Sequence, residues 1–250
     1  MKTLLLAAVL IVASKVVTMA EHVPLTFKTK SGTEVLYRFT APEKAEVGKQ
    51  YPLVLFLHGA GERGSDNKVQ LKHGVNDILK GAAALGESVF LIAPQCPANK
   101  WWTTAAPDRR VRKEAGGKES LTEAVLALIE KTAEKHPIDP KRIYITGLSM
   151  GGFGTWDMLA RSPQTWAAAI PICGGGDPLS VRRFKHIPIW IFHGDADDVV
   201  PAKNSELMAA ALEDAHGKAE LTMYPGVGHD SWTQTYKNLE VIKWLFAQKK

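Results

Sequence analysis

Five nearly continuous apolar runs, separated by stretches of helical periodicity, constrain the fold of this chain more than any other feature. Such runs are typical of strands that are buried on both faces of a parallel sheet. They occupy residues 51–59, 88–95, 142–147, 166–173 and 187–195. A further strand is predicted at 219–226, and residues 34–40 alternate apolar and polar side chains as a half-exposed antiparallel strand does. The pattern predicts an α/β fold with a mostly parallel central sheet and helices on both faces.

The segment 119–136 gives the clearest helix signal of the chain. Its apolar side chains recur on one helical face, and Ser120 and Glu123 form a capping-box pattern at its start. Other helices are predicted within residues 67–81, 152–162, 205–216 and 236–248. We find no internal repeat or domain linker, so one domain is predicted.

The first 20 residues have the features of a secretory signal peptide. Lys2 precedes an apolar stretch from Leu4 to Ala13, and the small residues Thr18 and Ala20 stand where a cleavage site needs them. The alternatives are an uncleaved membrane anchor and a buried helix of the domain.

Lys15 argues against the anchor, because it interrupts the apolar run well short of the roughly 20 residues needed to cross a bilayer. The prediction is therefore a signal peptide at 1–20 and one folded domain at 21–250, in a secreted or periplasmic protein without stable membrane insertion. Cleavage lowers the net charge from +5 to +3, which is too small to indicate nucleic-acid binding. The basic clusters at 109–113 and 182–185 are interpreted as solvated surfaces.

A glycine-rich stretch at 145–154, ITGLSMGGFG, directly follows one of the predicted buried strands. Gly147, Ser149 and Gly151 form the G-x-S-x-G pattern of a nucleophile elbow, in its proper strand–turn–helix setting. If the chain turns sharply at the serine, side chains at 147 and 151 would clash with neighbouring backbone, which explains the glycines.

A serine nucleophile requires a base and a group that orients the base. In an elbow-containing sheet the partners follow in the order serine, acid, histidine, and His229 stands after the last predicted strand. Three aspartates compete for the acid in HGDADDVVP. Asp195 is close enough to its strand to be held by turn hydrogen bonds, so Asp197 is favoured, with Asp198 as the substitute.

Two backbone N–H groups are expected to stabilise the oxyanion that forms on the substrate. One belongs to Met150, which follows the nucleophile, and the other to Ala60, with Gly61 as the second choice. His58 and His193 each precede a glycine at a strand end, and we interpret them as side chains that fix loops. No spacing indicates a zinc site and no phosphate-binding loop is present, so neither metal nor cofactor is predicted.

A long segment at 96–118 fits no regular element and contains the adjacent Trp101 and Trp102. It is either a solvated excursion or a functional loop, and the paired indoles favour the second interpretation. We predict that Trp101, Trp102 and Trp232 line the substrate pocket, although Trp232 is equally interpretable as a core anchor. Cys96 and Cys173 each follow a predicted strand, and the sequence leaves their pairing open.

Four stretches together resemble bacterial α/β-hydrolase carboxylesterases that are often labelled predicted peptidases: LHGAGERG, YITGLSMGGFGTW, FHGDADDVVP and GHDSW. These proteins are related to the dienelactone-hydrolase-like, prolyl-oligopeptidase-like and phospholipase/carboxylesterase groups, and the resemblance covers the chain from about residue 30 onward. It implies an α/β-hydrolase fold, a triad of Ser149, Asp197 and His229, and oxyanion donors at Ala60 and Met150.

The motifs and the resemblance predict a carboxylesterase that acts on small-to-medium extracellular esters, including acetyl or feruloyl esters of polysaccharide. The expected partner is a small-molecule or polysaccharide-linked ester. Two alternatives stay open: a serine peptidase of the prolyl-oligopeptidase-like group, and a non-catalytic binding module that retains the fold.

Overall fold

One mixed sheet forms the centre of the computed structural model, which describes residues 21–103 and 119–250. Its eight strands are β1 (Val23–Lys28), β2 (Glu34–Thr40), β3 (Tyr51–Leu57), β4 (Phe90–Pro94), β5 (Ile138–Leu148), β6 (Ala168–Ile172), β7 (Ile189–Gly194) and β8 (Ala219–Tyr224). The helices of the described residues are α1 (Val75–Ala84), α2 (Leu121–Lys135), α3 (Met150–Arg161), α4 (Lys203–Asp214), α5 (Trp232–Lys237) and α6 (Leu239–Ala247).

The strand order is β1-β2-β4-β3-β5-β6-β7-β8. Strands β3 to β8 run parallel, while β2 pairs antiparallel with both β1 and β4. Four of the predicted apolar runs contain β3, β4, β6 and β7, and the run at 142–147 lies within the longer β5. The half-exposed strand at 34–40 is confirmed as β2. Because the parallel strands all end at one edge, the loops that follow them converge there.

Helices cover both faces of the sheet, as predicted. In β3, Leu53, Leu55 and Leu57 pack into the core beneath α2, α3 and α4, whereas Val54 and Phe56 pack towards α1, α5 and α6. This alternation follows from the two-residue period of side chains along a strand. Both faces of β3 are therefore covered by an apolar layer.

Local sequence signals fix several helix boundaries. The capping box of α2 is present, since the Ser120 side chain accepts from the Glu123 N–H and the Glu123 side chain accepts from the Ser120 N–H. The C-terminal helix is divided at Asn238, whose side chain caps α6 by accepting from the Glu240 N–H. The predicted helix at 67–81 is interrupted at Gly74, where φ is +73°.

Three predictions fall wholly or partly outside the described residues, and one of them is the predicted functional loop at 96–118, of which residues 104–118 are not described. The predicted signal peptide at 1–20 and the basic cluster at 109–113 lie wholly outside the described residues, so the division of the chain into signal and domain stays a prediction. In the described ranges, no helix has the length and apolarity that crossing a bilayer requires.

Candidate active site

Ser149 occupies the sharp turn between β5, which ends at Leu148, and α3, which begins at Met150. Its backbone has φ +52° and ψ −118°, a conformation that costs a non-glycine residue on the order of 1–3 kcal/mol. The surrounding structure holds this conformation, since the Ser149 N–H donates to the Ile172 carbonyl at 2.9 Å and its carbonyl accepts from the Phe153 N–H at 3.1 Å. The turn projects the hydroxyl from the edge where the parallel strands end.

The glycines that flank the serine allow close backbone contact. A Cβ atom added at Gly151 would overlap the Leu57 carbonyl oxygen at the end of β3. One added at Gly147 would overlap the Gly151 carbonyl oxygen. The predicted steric reason for glycine at both positions is therefore confirmed.

The structure brings Ser149, His229 and Asp197 into one chain of hydrogen bonds. Ser149 Oγ lies 2.9 Å from His229 Nε2, and His229 Nδ1 lies 2.7 Å from Asp197 Oδ2. A carboxylate only accepts, so the imidazole proton is on Nδ1 and Nε2 is free to accept from the serine hydroxyl. The His229 side chain keeps 19% of its surface exposed, while that of Asp197 is completely buried.

Hydrogen bonds hold Asp197 in its ionised form. Burial disfavours the charge, but the hydrogen bond from His229 and the N–H groups of Val200 and Val199, at 2.8 and 2.9 Å, outweigh it. The pKa of Asp197 is therefore lowered below its ordinary value. A buried anion at this point is suited to stabilising a protonated imidazole.

The neighbouring carboxylates do not join the chain of hydrogen bonds. Asp195 is exposed and accepts from the Gly226 N–H at 2.6 Å, which links the loops after β7 and β8. Asp198 is exposed. The structure thus places Asp197, rather than the substitute Asp198, against His229.

His193 contacts the same carboxylate, a role that the sequence interpretation missed. It is fully buried at the end of β7, with Nε2 3.1 Å from Asp197 Oδ2 and 2.9 Å from the Val200 carbonyl oxygen. Both atoms accept, so Nε2 carries the proton, while Nδ1 faces the Ser205 hydroxyl at 2.7 Å. His193 fixes the loop, as interpreted, and also contacts the acid four residues later.

The loop after β3 passes directly beside Ser149, the predicted nucleophile. A Cβ atom at Gly59 would lie 3.7 Å from that of Ser149. Ala60 follows at the start of a 3₁₀ helix, Ala60–Glu62. The Arg63 side chain donates from Nε to the Ala60 carbonyl at 2.9 Å and lies over the Trp101 ring, 5.4 Å from its centroid. These contacts connect the predicted oxyanion loop to one of the predicted pocket tryptophans.

Residues 93–240 match the sequence profile of the dienelactone hydrolase family. The chain belongs to the dienelactone hydrolase family. The matched region contains Ser149, Asp197 and His229, but not Ala60. The fold is that of the α/β-hydrolases, as the resemblance implies.

Individual proteins similar to this chain carry hydrolase names. A putative carboxymethylenebutenolidase of Escherichia coli (strain K12) is 31% identical over 106 residues, 39% of each chain. The putative esterase NocK of Nocardia uniformis subsp. tsuyamanensis is 28% identical over 195 residues, 74% of this chain and 53% of that protein. The crystal structure of a thermostable esterase has 42% identity and a TM-score of 0.84, covering 92% of this chain and 63% of that one. This chain spans less than two thirds of the length of each relative.

The three tryptophans predicted to line the pocket have different environments in this family member. Trp232 is partly buried and meets the His229 ring edge-on, with centroids 5.2 Å apart. Trp101 is partly buried beneath Arg63. The prediction for Trp102 is wrong, because its side chain is fully buried and donates from Nε1 to the His58 carbonyl at 2.9 Å. Its ring fills the space that Gly154 leaves open on α3.

Trp102→Ala is expected to lower the free energy of unfolding by about 3–5 kcal/mol, because it empties a core site and removes a buried hydrogen bond. Chemical denaturation measures this. Trp101→Ala is the matched control and should change stability much less, since that ring is partly exposed. Equal losses in the two variants would contradict the division of roles between these neighbours.

His58 fixes the loop that carries Ala60, as the sequence analysis interpreted. Its Nδ1 bonds to the Gly59 carbonyl at 2.6 Å, and its Nε2 accepts from the Cys96 N–H at 2.9 Å. The ring is neutral, because burial lowers the pKa of His58 from 6.5 to about 4. The imidazole therefore acts as a structural link and not as an acid or base.

His58 is expected to make the fold sensitive to mild acid. Its folded pKa of about 4 lies below the ordinary 6.5, so its contribution is complete above pH 6.5 and is lost as the pH falls to about 4. That difference corresponds to about 3 kcal/mol. In denaturant titrations, the unfolding free energy of His58→Gln should fall less than that of wild type between pH 6.5 and about 4. His186 is exposed, so the unfolding free energy of His186→Gln should fall as much as that of wild type. An unchanged acid dependence in His58→Gln would refute this.

The two cysteines, whose pairing the sequence left open, are both buried and do not form a disulfide. Cys96 lies after β4 and Cys173 directly after β6. Burial raises the pKa of the Cys173 thiol to about 12, so it is protonated at neutral pH. The thiol lies close to Asp197 and His229.

Proposed function

We propose that this protein is a serine carboxylesterase in which Ser149 attacks an ester carbonyl. The observation that carries the proposal is the continuous chain of hydrogen bonds from the Ser149 hydroxyl through His229 to Asp197. A neutral serine is a weak nucleophile. It is activated by a base at hydrogen-bond distance when a third group orients that base. The hydrolase names of the relatives support the same reaction class.

In the first step, His229 Nε2 takes the hydroxyl proton as Ser149 Oγ bonds to the carbonyl carbon. The imidazolium that forms keeps its Nδ1–H on Asp197, and the lowered pKa of that carboxyl keeps it ionised. His229 then gives its proton to the leaving alcohol, and an acyl-enzyme remains. Water, deprotonated by the same imidazole, releases the acid and restores the serine.

The oxyanion is assigned to the backbone N–H groups of Ala60 and Met150. Met150 is the first residue of α3, where an N–H has no partner within the helix. The loop that precedes Ala60 lies against Ser149, so its backbone is near the reacting carbon. Each donor of this kind contributes on the order of 3 to 4 kcal/mol to transition-state stabilisation.

The proposed substrates are small-to-medium esters outside the cytoplasm, with acetyl or feruloyl esters of polysaccharide as the first candidates. Trp232 contacts the proposed base, and Trp101 is connected through Arg63 to the proposed oxyanion loop. Aromatic side chains in these positions are suited to packing against an acyl or aryl group. Export by the predicted signal peptide would bring the enzyme to polymer-linked esters.

A substrate panel tests this proposal. Purified protein is assayed with p-nitrophenyl acetate, longer p-nitrophenyl esters, methyl ferulate, acetylated xylan and peptide p-nitroanilides. We expect kcat/KM for the esters to exceed that for the anilides, and release of acetate or ferulate from the natural compounds. Faster cleavage of the anilides would favour the peptidase, and no turnover of any substrate would favour the binding module.

A further inference from the structure

A buried thiol completes a cluster of three different metal-ligand types behind the nucleophile. One ligand atom each from Cys173, Asp197 and His229 lies within 4.8 Å of the other two. The three residues follow β6, β7 and β8, which are neighbours in the parallel sheet. Their spacing of 24 and 32 residues along the chain matches no sequence motif, so the cluster exists only in the folded protein.

The backbone holds Cys173 firmly in this cluster. The residue has φ +38°, in the left-handed region that cysteine seldom adopts, and its N–H donates to the Phe192 carbonyl at 2.9 Å. The thiol is fully buried. The proposed esterase mechanism does not use the Cys173 side chain, because the proton passes from Ser149 to His229 Nε2.

A second polar group at the same place has no conventional partner. The Ser231 hydroxyl is fully buried beside the Cys173 thiol. Among residues 21–103 and 119–250 it has no other hydrogen-bond partner. A thiol is a weak hydrogen-bond partner, so the buried Ser231 hydroxyl keeps most of its hydrogen-bonding capacity for a polar ligand beside Cys173.

The donor set selects the class of ligand. Sulfur, imidazole nitrogen and carboxylate oxygen together suit borderline and soft divalent metals, whereas Mg²⁺ and Ca²⁺ prefer oxygen alone. Around Zn²⁺ such ligands stand at roughly 2.0–2.3 Å from the ion and so about 3–4 Å from one another. The ligand atoms here lie within 4.8 Å of one another, and His229 Nδ1 and Asp197 Oδ2 are only 2.7 Å apart. Binding therefore requires this hydrogen bond to open by roughly 1 Å and the thiol to stay within reach of both atoms.

We propose that Cys173, Asp197 and His229 bind a thiophilic divalent cation, Zn²⁺ or Cd²⁺, and that binding switches the enzyme off. The ion displaces the thiol proton of Cys173 to solvent and takes the electron pair of His229 Nδ1, whose proton moves to Nε2. With Nε2 protonated, the imidazole no longer accepts the Ser149 proton. The binding is independent of the esterase assignment, whereas the inhibition rests on that proposed function.

The test uses cadmium as the probe, because a cadmium–thiolate bond absorbs in the ultraviolet by charge transfer. Wild type, Cys173→Ala, Cys173→Ser and the matched control Cys96→Ala are titrated with Cd²⁺, following absorbance and p-nitrophenyl acetate hydrolysis in parallel. We expect one Cd²⁺ per chain in wild type and Cys96→Ala. Both Cys173 variants should hydrolyse the ester in the absence of metal. Their affinity for Cd²⁺ should be lower than that of wild type by a factor of about 100 or more.

The two readouts separate the two proposals. Ser149→Ala should retain the full cadmium absorption although it has no serine nucleophile. If wild type has no esterase activity but still shows the Cys173-dependent absorption, the proposed function is overturned and the metal-site proposal stands. Inhibition without the absorption band, or equal absorption in wild type and Cys173→Ala, would overturn the metal site. Mg²⁺ at the same concentrations should produce neither effect.

Discussion

Ser149→Ala is expected to lower kcat for p-nitrophenyl acetate by about 10⁴- to 10⁶-fold while leaving KM and the unfolding free energy nearly unchanged. The hydroxyl is the group that bonds to the substrate in the proposed mechanism. Alanine retains the Cβ and the backbone hydrogen bonds that hold the strained turn, so the site should survive the change. Steady-state kinetics and chemical denaturation measure the two quantities.

Ser162→Ala is the matched control for that experiment. Ser162 follows α3 at its other end, where its hydroxyl bonds to Thr165, so the substitution changes the same residue type without touching the proposed site. It should leave kcat unchanged. A fluorophosphonate probe should label wild type and Ser162→Ala but not Ser149→Ala. Wild-type turnover by Ser149→Ala would remove the nucleophile assignment and the covalent intermediate with it.

Features that depend on local sterics are readable from this sequence. Strands β3, β4, β6, β7 and the second half of β5 are apolar on both faces, so their composition reveals their burial before any contact is known. The elbow is local at Gly147, where an added side chain would meet the Gly151 carbonyl oxygen four residues later. At Gly151 the conflict is with Leu57 of the neighbouring strand β3, and it exists only because the two strands pair. The order of acid and base after successive strands then places both at one edge of the sheet.

Features that depend on tertiary contacts could not be predicted from the sequence. Trp101 and Trp102 are adjacent and chemically identical, yet one contacts Arg63 at the surface and the other fills the core against α3. β1 was not predicted, since most of its residues are exposed and it lies at the edge of the sheet. The position of Cys173 beside the triad depends on three loops that meet only after the parallel sheet has formed.

His193 is an intermediate case. Its position at a strand end predicts that it fixes a loop, but this interpretation leaves out its contact with Asp197. A histidine at a strand end fixes a loop through one ring nitrogen, which is what the Val200 carbonyl contact does. The same nitrogen also faces Asp197, four residues later in the HGDAD stretch. The carboxylate therefore accepts from two imidazoles and two backbone N–H groups, and its orientation is determined from several directions.

Asp197→Asn is expected to reduce kcat by about 10⁴-fold, the scale of the same change in a serine protease triad. If the asparagine oxygen keeps the N–H groups of Val199 and Val200, its NH₂ faces His229 Nδ1 and donates to it. The imidazole proton then moves to Nε2, where it prevents proton transfer from Ser149. The NH₂ also meets the Nε2–H of His193, so a loss of stability is expected in the same variant.

Asp198→Asn is the control, because it removes the same charge one residue away from an exposed position. It should retain kcat, its pH dependence and its unfolding free energy. The decisive measurement is the pair of kcat/KM profiles across pH, together with denaturant titrations of both variants. If Asp198→Asn lost activity and Asp197→Asn did not, the loop after β7 would have to rearrange in solution to exchange the two carboxylates. The short contacts of Asp197 to Val199, Val200 and both histidines oppose that exchange, since each would be broken in the buried site.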